Sequence, residues 1–204
     1  MNDFGLYLVM TDPKVGYAAC AEAAVRANVR IVQLRMKDAG RDEYVRTARE
    51  VRAVTRGTDT LFIVNDDPVV AVEAEADGVH VGQDDLPVCE VRRRYPSLGI
   101  VGLSTHSPEQ ALASREAKPD YIGVGPVWPT PTKAVADPAL GLDVMSRMIA
   151  SVPYPAVAIG GIDETNLPSV LAAGARNFAV VRAVCASADP YSALRRLQEA
   201  ALRS

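Results

Sequence analysis

Short apolar runs rich in β-branched residues recur along the chain, and each is followed by a stretch in which apolar residues return at helical spacing. The runs predict eight strands, at residues 5–10, 29–34, 61–64, 78–81, 100–103, 121–124, 156–159 and 177–181. Strands that alternate with helices are typical of a parallel sheet, because the crossover helix returns the chain to the same edge. Eight alternations in 204 residues predict an α/β fold, a single-domain (β/α)8 TIM barrel over residues 1–204, with an open doubly wound sheet as the alternative.

Several helix boundaries carry capping residues. An Asp-Pro dipeptide stands at 67–68 and again at 189–190, which combines an N-cap with a proline in the first turn. Ser107, followed by proline and then Gln110, has the order of a capping box. Gly174 predicts the end of the helix that begins near residue 165.

Composition and charge restrict the partners. Aromatic residues make up only 5% of the chain and hydrophobic residues 49%, so the core is expected to consist of Val, Ala, Leu and Ile. With 22 Lys and Arg against 25 Asp and Glu, the net charge is -3, and no global basic field attracts nucleic acid or a membrane. Any phosphate must therefore be held by local groups, and the expected partners are small molecules.

No stretch has the length or pattern of a membrane span or a signal peptide, which predicts a cytoplasmic protein. Cys20, Cys89 and Cys185 are odd in number and far apart. This spacing argues against a disulfide framework and against a zinc site, so we expect three small buried thiols.

In a barrel of this kind the reacting groups follow the strands, at their carboxyl ends. Gln33, Arg35 and Lys37 follow or end the second strand at alternate positions, so their side chains are expected on one side. Two cations and an amide placed in this way could clamp a diphosphate. The alternative is a pair of solvated cations at the entrance to a helix.

Carboxylates follow the third and fourth strands. Asn65 and Asp66 precede the capping Asp67, and the next strand leads to Asp84 and Asp85, of which one is expected to cap the following helix. The spare carboxylates of the two strands would repel each other unless a cation lies between them. Mg²⁺ prefers hard oxygen ligands and accepts one or two carboxylates together with substrate phosphate, so it is the expected ion.

Two further strand ends suggest a second phosphate site. Gly160 and Gly161 follow the seventh strand, and Arg182 follows Val181 at the end of the eighth. Loops in these two positions commonly bind phosphate in this fold, and glycine allows the backbone to approach the anion closely. Glycine pairs also occur in plain turns.

The histidines and the segment GPVWPTPTK complete the candidates. His80 lies inside the fourth strand and is expected to be a hydrogen-bonded structural residue, whereas His106 lies in a loop and could serve either role. Ser104 stands at the end of the fifth strand. The segment at 125–133 follows the sixth strand, and its prolines would stiffen a run of polar side chains that ends in Lys133.

Taken together, six motifs resemble the thiamin phosphate synthase family over nearly the whole chain and in the right order. They are QLRMK at 33–37, ND at 65–66, DGVHVGQDDLP at 77–87, the pair Ser104 and His106, DYIGVGPVWPTPTK at 120–133, and AIGGI at 158–162. The resemblance implies a TIM-barrel enzyme that joins a pyrimidine methyl diphosphate to a thiazole ethyl phosphate, or its carboxylated form. It also implies one Mg²⁺ per subunit, and it is compatible with a homo-oligomer.

The resemblance assigns roles position by position. The pyrimidine diphosphate would contact Gln33, Leu34, Arg35, Met36, Lys37, Asn65, Ser104 and Lys133. Of these, Arg35, Lys37, Ser104 and Lys133 would be catalytic, and Asp66 and Asp85 would hold the metal. The thiazole phosphate would contact Thr130, Pro131, Thr132, Gly161, Val181 and Arg182, the last of which departs from the serine often found there in the family.

Other functions on the same fold make different demands. A thiazole tautomerase would share the thiazole phosphate site but would have little need for the clamp at 33–37 or for the two aspartates. A non-catalytic phosphate-binding barrel would be expected to lose the metal and diphosphate positions, which this sequence keeps. A phosphosugar isomerase or aldolase is disfavoured because no apolar strand offers a Schiff-base lysine.

Overall fold

The computed structural model describes residues 3–130 and 138–203. Eight parallel strands close into a barrel in the order β1 to β8, which confirms the predicted (β/α)8 fold and excludes the open sheet. The strands are β1 (Leu6–Met10), β2 (Ile31–Leu34), β3 (Leu61–Asn65), β4 (Gly78–Val81), β5 (Ile100–Thr105), β6 (Tyr121–Val124), β7 (Ala156–Ile159) and β8 (Asn177–Val180).

Helices surround the barrel in the described part of the chain. They are α1 (Tyr17–Arg26), α2 (Arg41–Thr55), α3 (Pro68–Glu73), α4 (Val88–Arg94), α5 (Pro108–Ala117), α6 (Gly141–Ala150), α7 (Leu167–Ala172), α8 (Arg182–Cys185) and α9 (Pro190–Leu202). None of those in the described segments has the length and apolar character needed to cross a lipid bilayer.

The second strand starts two residues later than predicted because of the way α1 ends. Asn28 adopts a left-handed conformation with φ of 54°, and the N–H of Val29 donates to the carbonyl of Ala24. Val29 is therefore part of the helix C-terminal motif, although it is buried and β-branched. The pairing of β2 with β1 then begins at Ile31.

Two apolar layers stabilise the fold. The larger lies between the strands and the helices and consists mainly of Val, Ala, Leu and Ile, as the composition predicted. The smaller fills the inside of the barrel and includes two tyrosines, Tyr7 and Tyr121, both almost fully buried. Their hydroxyls lie 2.8 Å apart, so the interior contains a polar contact that a purely aliphatic core would lack.

Most predicted caps are present. Asp67 accepts from two backbone N–H groups of α3, Asp189 accepts from one in α9, and Ser107 accepts from the N–H of Gln110. Gly174 has φ of 99° and follows α7. The Gln110 side chain accepts from the N–H of His106, which lies one residue before the N-cap Ser107. The capping box is therefore shifted by one residue.

Two expectations were wrong. Neither Asp84 nor Asp85 caps α4, because the N-cap position belongs to Pro87, whose side chain makes no capping bond. Cys20 and Cys185 are buried, but Cys89 lies on the exposed side of the short helix α4.

Candidate active site

A cavity of about 950 Å³ opens at the carboxyl ends of the strands. Its lining brings together most of the residues selected from the sequence, and these are Gln33, Arg35, Lys37, Asn65, Asp66, Asp85, Ser104, Thr130, Gly161, Val181 and Arg182. Leu34 and Met36 do not line it: Leu34 is fully buried in the layer between strands and helices, and Met36 packs against that layer. Pro131, Thr132 and Lys133 lie outside the described residues.

The clamp predicted at the end of β2 points into this cavity. Arg35 is partly buried, and its Nη1 lies 3.5 Å from the Thr11 hydroxyl. Its backbone N–H donates to the Met10 carbonyl and so continues the pairing of β1 with β2. Burial lowers the pKa of Arg35, while the nearby Asp66 carboxylate acts in the opposite direction. Lys37 is exposed at the cavity rim, so the two cations differ in how strongly water screens them.

The side chains of Asp66 and Asp85 lie close together in the cavity, after the ends of β3 and β4. Burial, followed by the charge and hydrogen bond of Asp85, raises the pKa of Asp66 to about 6, although Lys37 and Arg35 oppose this effect. The backbone of Asp66 has φ of 64°, a region that residues other than glycine seldom occupy. Its N–H donates to the carbonyl of His80 in β4, which fixes this turn against the neighbouring strand.

The carboxylate pair suits Mg²⁺. The Asp85 side chain also accepts from the N–H of Gly82 at 2.7 Å, so one carboxylate is held in place by the backbone. No group of three or more His, Cys, Asp or Glu side chains in the described segments could hold a metal. Two carboxylates with open positions for water and phosphate are the donor set that Mg²⁺ uses in phosphate sites, whereas Zn²⁺ would require more protein ligands.

The opposite side of the cavity is formed by the loop after β7 and the segment after β6. Val127 N–H donates to Ile159 and Trp128 N–H donates to Gly160, so the two loops are joined by backbone hydrogen bonds. Gly161 has φ of 67°, and a Cβ there would lie 2.6 Å from the Cβ of Trp128. Glycine is thus required for both conformation and space.

Trp128 packs partly buried against the outer core layer. Its Nε1 is buried without a hydrogen-bond partner in the described segments. The indole therefore supports the loop by packing, beside Gly160 and Gly161, which line the cavity.

His80 has the structural environment that was predicted, but it also lines the cavity. Its Nδ1 lies 3.0 Å from the Tyr121 hydroxyl and its Nε2 lies 2.9 Å from the Ser104 hydroxyl. Burial lowers the pKa of His80 to about 4, with the charge of His106 acting in the same direction and Asp85 in the opposite one. The side chain is neutral at physiological pH.

Sequence reasoning missed Tyr7 and Tyr121, which also line the cavity floor. A hydroxyl at an inward position of an otherwise apolar strand was the available signal. Burial raises the pKa of both phenols, so both remain protonated. Gln83 was likewise assigned no role, yet its amide donates to the Ser104 carbonyl at 2.6 Å.

Residues 6–184 match a family model described as thiamine monophosphate synthase. The chain is 40% identical over 201 residues to a thiamine-phosphate synthase of Archaeoglobus fulgidus, covering 98% of this chain and 94% of that protein. It is 44% identical over 200 residues to the corresponding protein of Thermus thermophilus, with 95% of each covered. A solved structure of the Pyrococcus furiosus thiamine phosphate pyrophosphorylase superposes with a TM-score of 0.88 at 32% identity, covering 99% of this chain and 97% of that one.

Proposed function

The chain belongs to the thiamine monophosphate synthase family and is an enzyme that forms thiamine phosphate, and we propose that it does so by Mg²⁺-assisted ionisation of a pyrimidine methyl diphosphate. In this proposal a thiazole ethyl phosphate captures the resulting cation. The observation that supports it most directly is the division of the cavity into two unlike sides. One side carries cations and paired carboxylates, and the other carries a glycine pair.

The first side suits a diphosphate. Arg35 and Lys37 come from the end of β2, and Asp66 and Asp85 come from the ends of β3 and β4. Cations alone would bind many anions, but cations beside a carboxylate pair suit an anion that brings Mg²⁺ with it. Asn65, buried at the end of β3, lines the same side.

The second side suits a phosphate monoester. Gly161 follows β7 and Arg182 follows β8, and in a closed ring of eight strands β7 lies opposite β3. The second phosphate would therefore be held away from the diphosphate, with the organic parts of both substrates between them. Thr130 lines the cavity on this side, at the end of the described segment after β6.

The reaction breaks one C–O bond and forms one C–N bond. The bond between the exocyclic CH₂ and the diphosphate oxygen breaks with both electrons going to diphosphate, and the electron-rich aminopyrimidine stabilises the cation that remains. The thiazole nitrogen then donates its lone pair to that carbon. No proton has to be removed in either step, which agrees with a site in which His80 is neutral and bonded at both ring nitrogens.

The residues of the chain would act mainly on the leaving group. Arg35 and Lys37 would neutralise the diphosphate as negative charge develops on it, in a cavity where partial burial strengthens the interaction. Asp66 and Asp85 would hold Mg²⁺, which when bound supplies further positive charge to the same oxygens. We assign Lys133 to this group from the resemblance, although it lies outside the described residues.

The direct test incubates the protein with the pyrimidine diphosphate, the thiazole phosphate and Mg²⁺ and measures thiamine phosphate and diphosphate by mass spectrometry. We expect equal amounts of both products. Release of an isomerised thiazole alone would indicate a tautomerase, and binding without turnover would indicate a silent barrel. An electron-withdrawing substituent on the pyrimidine should slow turnover strongly, and an unchanged rate would contradict the dissociative path.

A further inference from the structure

A continuous chain of hydrogen bonds crosses the floor of the cavity. Gln33 Nε2 lies 2.7 Å from the Tyr7 hydroxyl, which lies 2.8 Å from the Tyr121 hydroxyl. The Tyr121 hydroxyl reaches His80 Nδ1 at 3.0 Å, and His80 Nε2 reaches Ser104 at 2.9 Å. Both ends, Gln33 and Ser104, are residues that the resemblance places against the pyrimidine substrate.

The direction of this chain follows from its first member. An amide nitrogen can only donate, so Tyr7 accepts from Gln33, and its own hydroxyl hydrogen is available for Tyr121. With Tyr7 as the donor to Tyr121, Tyr121 donates to His80 Nδ1, which in this arrangement carries no proton. Since neutral imidazole has one N–H, the proton is on Nε2 and is donated to the Ser104 oxygen.

We propose that Tyr7, Tyr121 and His80 are positioning residues that orient the Ser104 hydroxyl, so that its O–H points into the cavity as a donor to the pyrimidine substrate. Ser104 already accepts from His80, which leaves its own hydrogen for another partner. A donor fixed in this way costs no reorganisation when the substrate ionises. The inference rests on the proposed function insofar as it assigns the pyrimidine substrate to this side of the cavity.

The packing around the chain agrees with a built arrangement. A Cβ on Gly102 in β5 would lie 2.5 Å from His80 Nδ1 and 2.3 Å from the Tyr121 Cζ, so only glycine leaves room for this hydrogen bond. The rings of Phe4 and Tyr7 both pack edge to face against the ring of Tyr121, which holds that ring in place. Burial keeps His80 neutral and both phenols protonated, as the chain requires.

The first test reads the tautomer directly and needs no substrate. Nitrogen-15 labelling of histidine with long-range proton correlation at neutral pH should show His80 protonated at Nε2 and bare at Nδ1, with a His106→Asn variant used for assignment. A proton on Nδ1 would overturn the proposal, because Gln33 would then present its oxygen to Tyr7 and the chain would run the other way. This measurement does not depend on catalysis, so it tests the proposal even if the protein forms no thiamine phosphate.

The second test asks whether Tyr121 acts through Ser104. Tyr121→Phe should lower kcat about tenfold, the scale of one misplaced neutral hydrogen bond, and should shift His80 toward a mixture of tautomers. In a Ser104→Ala background the same substitution should have no further effect on kcat. Additive losses would show that Tyr121 has only a structural role and would overturn the proposal.

Three further variants complete the design. Tyr154→Phe removes a tyrosine hydroxyl that is bonded to Ser114, outside the cavity lining, and should leave both kcat and the His80 tautomer unchanged. Gly102→Ala adds a methyl group between His80 and Tyr121, whereas Gly123→Ala adds one at an ordinary 3.5 Å contact with His80 Cε1. We expect Gly102→Ala to change the nitrogen spectrum of His80 and Gly123→Ala to preserve it. Equal spectra for the two variants would count against the proposed chain of hydrogen bonds.

Discussion

The carboxylates of Asp66 and Asp85 lie close enough to repel each other, although they follow different strands of the barrel. Two carboxylates in such proximity are stable when a proton or a cation lies between them. Burial, followed by the neighbouring Asp85, raises the pKa of Asp66 to about 6. The relationship is therefore the basis for the first prediction.

We expect Asp66→Ala and Asp85→Ala each to shift the Mg²⁺ activation curve to higher concentration, since each removes one of two carboxylates. Asp67→Ala is the matched control, because Asp67 caps α3 with bonds of 2.8 and 3.0 Å and is absent from the cavity lining. It should cost about 1 kcal/mol of unfolding free energy and leave the Mg²⁺ curve in place. Activation curves that are the same for all three variants would contradict the metal site.

The sequence predicted most of the barrel because its signals are local. The bounds of β4, β6 and β7 agree with the apolar runs, and the capping aspartates are where the Asp-Pro pairs predict them. Strand ends converge on one face in this topology, so polar residues after several strands could be assigned to one cavity before the structure was known.

The rest depended on contacts between residues far apart in the chain. Tyr7 and Tyr121 are 114 residues apart, and nothing local to either predicts that their hydroxyls meet inside the barrel. Leu34 was placed near the substrate by the family resemblance alone, as part of the run QLRMK. Alternation along β2 sends its side chain to the outer layer instead.

Gly161→Ala should weaken binding of the thiazole phosphate and lower stability together. The new Cβ would lie 2.6 Å from the Trp128 Cβ and 3.1 Å from the Pro129 carbonyl, so the loop must move. We expect a loss of about 2 kcal/mol or more in unfolding free energy and a raised KM for the thiazole phosphate.

Gly57→Ala is the control for that variant. Gly57 has φ of 75°, close to the 67° of Gly161, but a Cβ there would have nothing within 4 Å. It should cost about 1 kcal/mol, measured by urea denaturation, with KM unchanged. If the two variants lost the same stability and kept the same KM, the close approach of the loops would have no functional role.

Arg182→Ala should raise the KM for the thiazole phosphate about tenfold and leave the KM for the pyrimidine diphosphate unchanged. Arg182 begins α8, lines the cavity beside the end of β8 and forms no ion pair with the described residues, so its charge is available to a phosphate. The control is Arg176→Ala. Arg176 lies just before β8, is exposed, and its guanidinium is 3.7 Å from the Asp3 carboxylate. Steady-state kinetics with each substrate varied in turn measures both KM values. An unchanged KM for the thiazole phosphate in Arg182→Ala would indicate that the backbone of the loops binds the phosphate.

His80 should make the protein lose stability in mild acid. Burial lowers the pKa of His80 from 6.5 to about 4 in the folded protein, so the unfolded chain binds the proton first as the pH falls. Stability is therefore complete above about pH 6.5 and is lost progressively toward pH 4, by roughly 2 kcal/mol between pH 7 and pH 5.

The measurement compares urea unfolding of the wild type and of His80→Gln at pH 7 and at pH 5. The variant should be less stable at pH 7, because it disturbs the bonds to Tyr121 and Ser104. Its further loss at pH 5 should nevertheless be smaller than that of the wild type by roughly 2 kcal/mol. The carboxylates are common to both proteins and cancel in this comparison. An equal loss in both would mean that folding does not lower the pKa of His80, and the burial that is argued to keep its imidazole neutral would then be wrong.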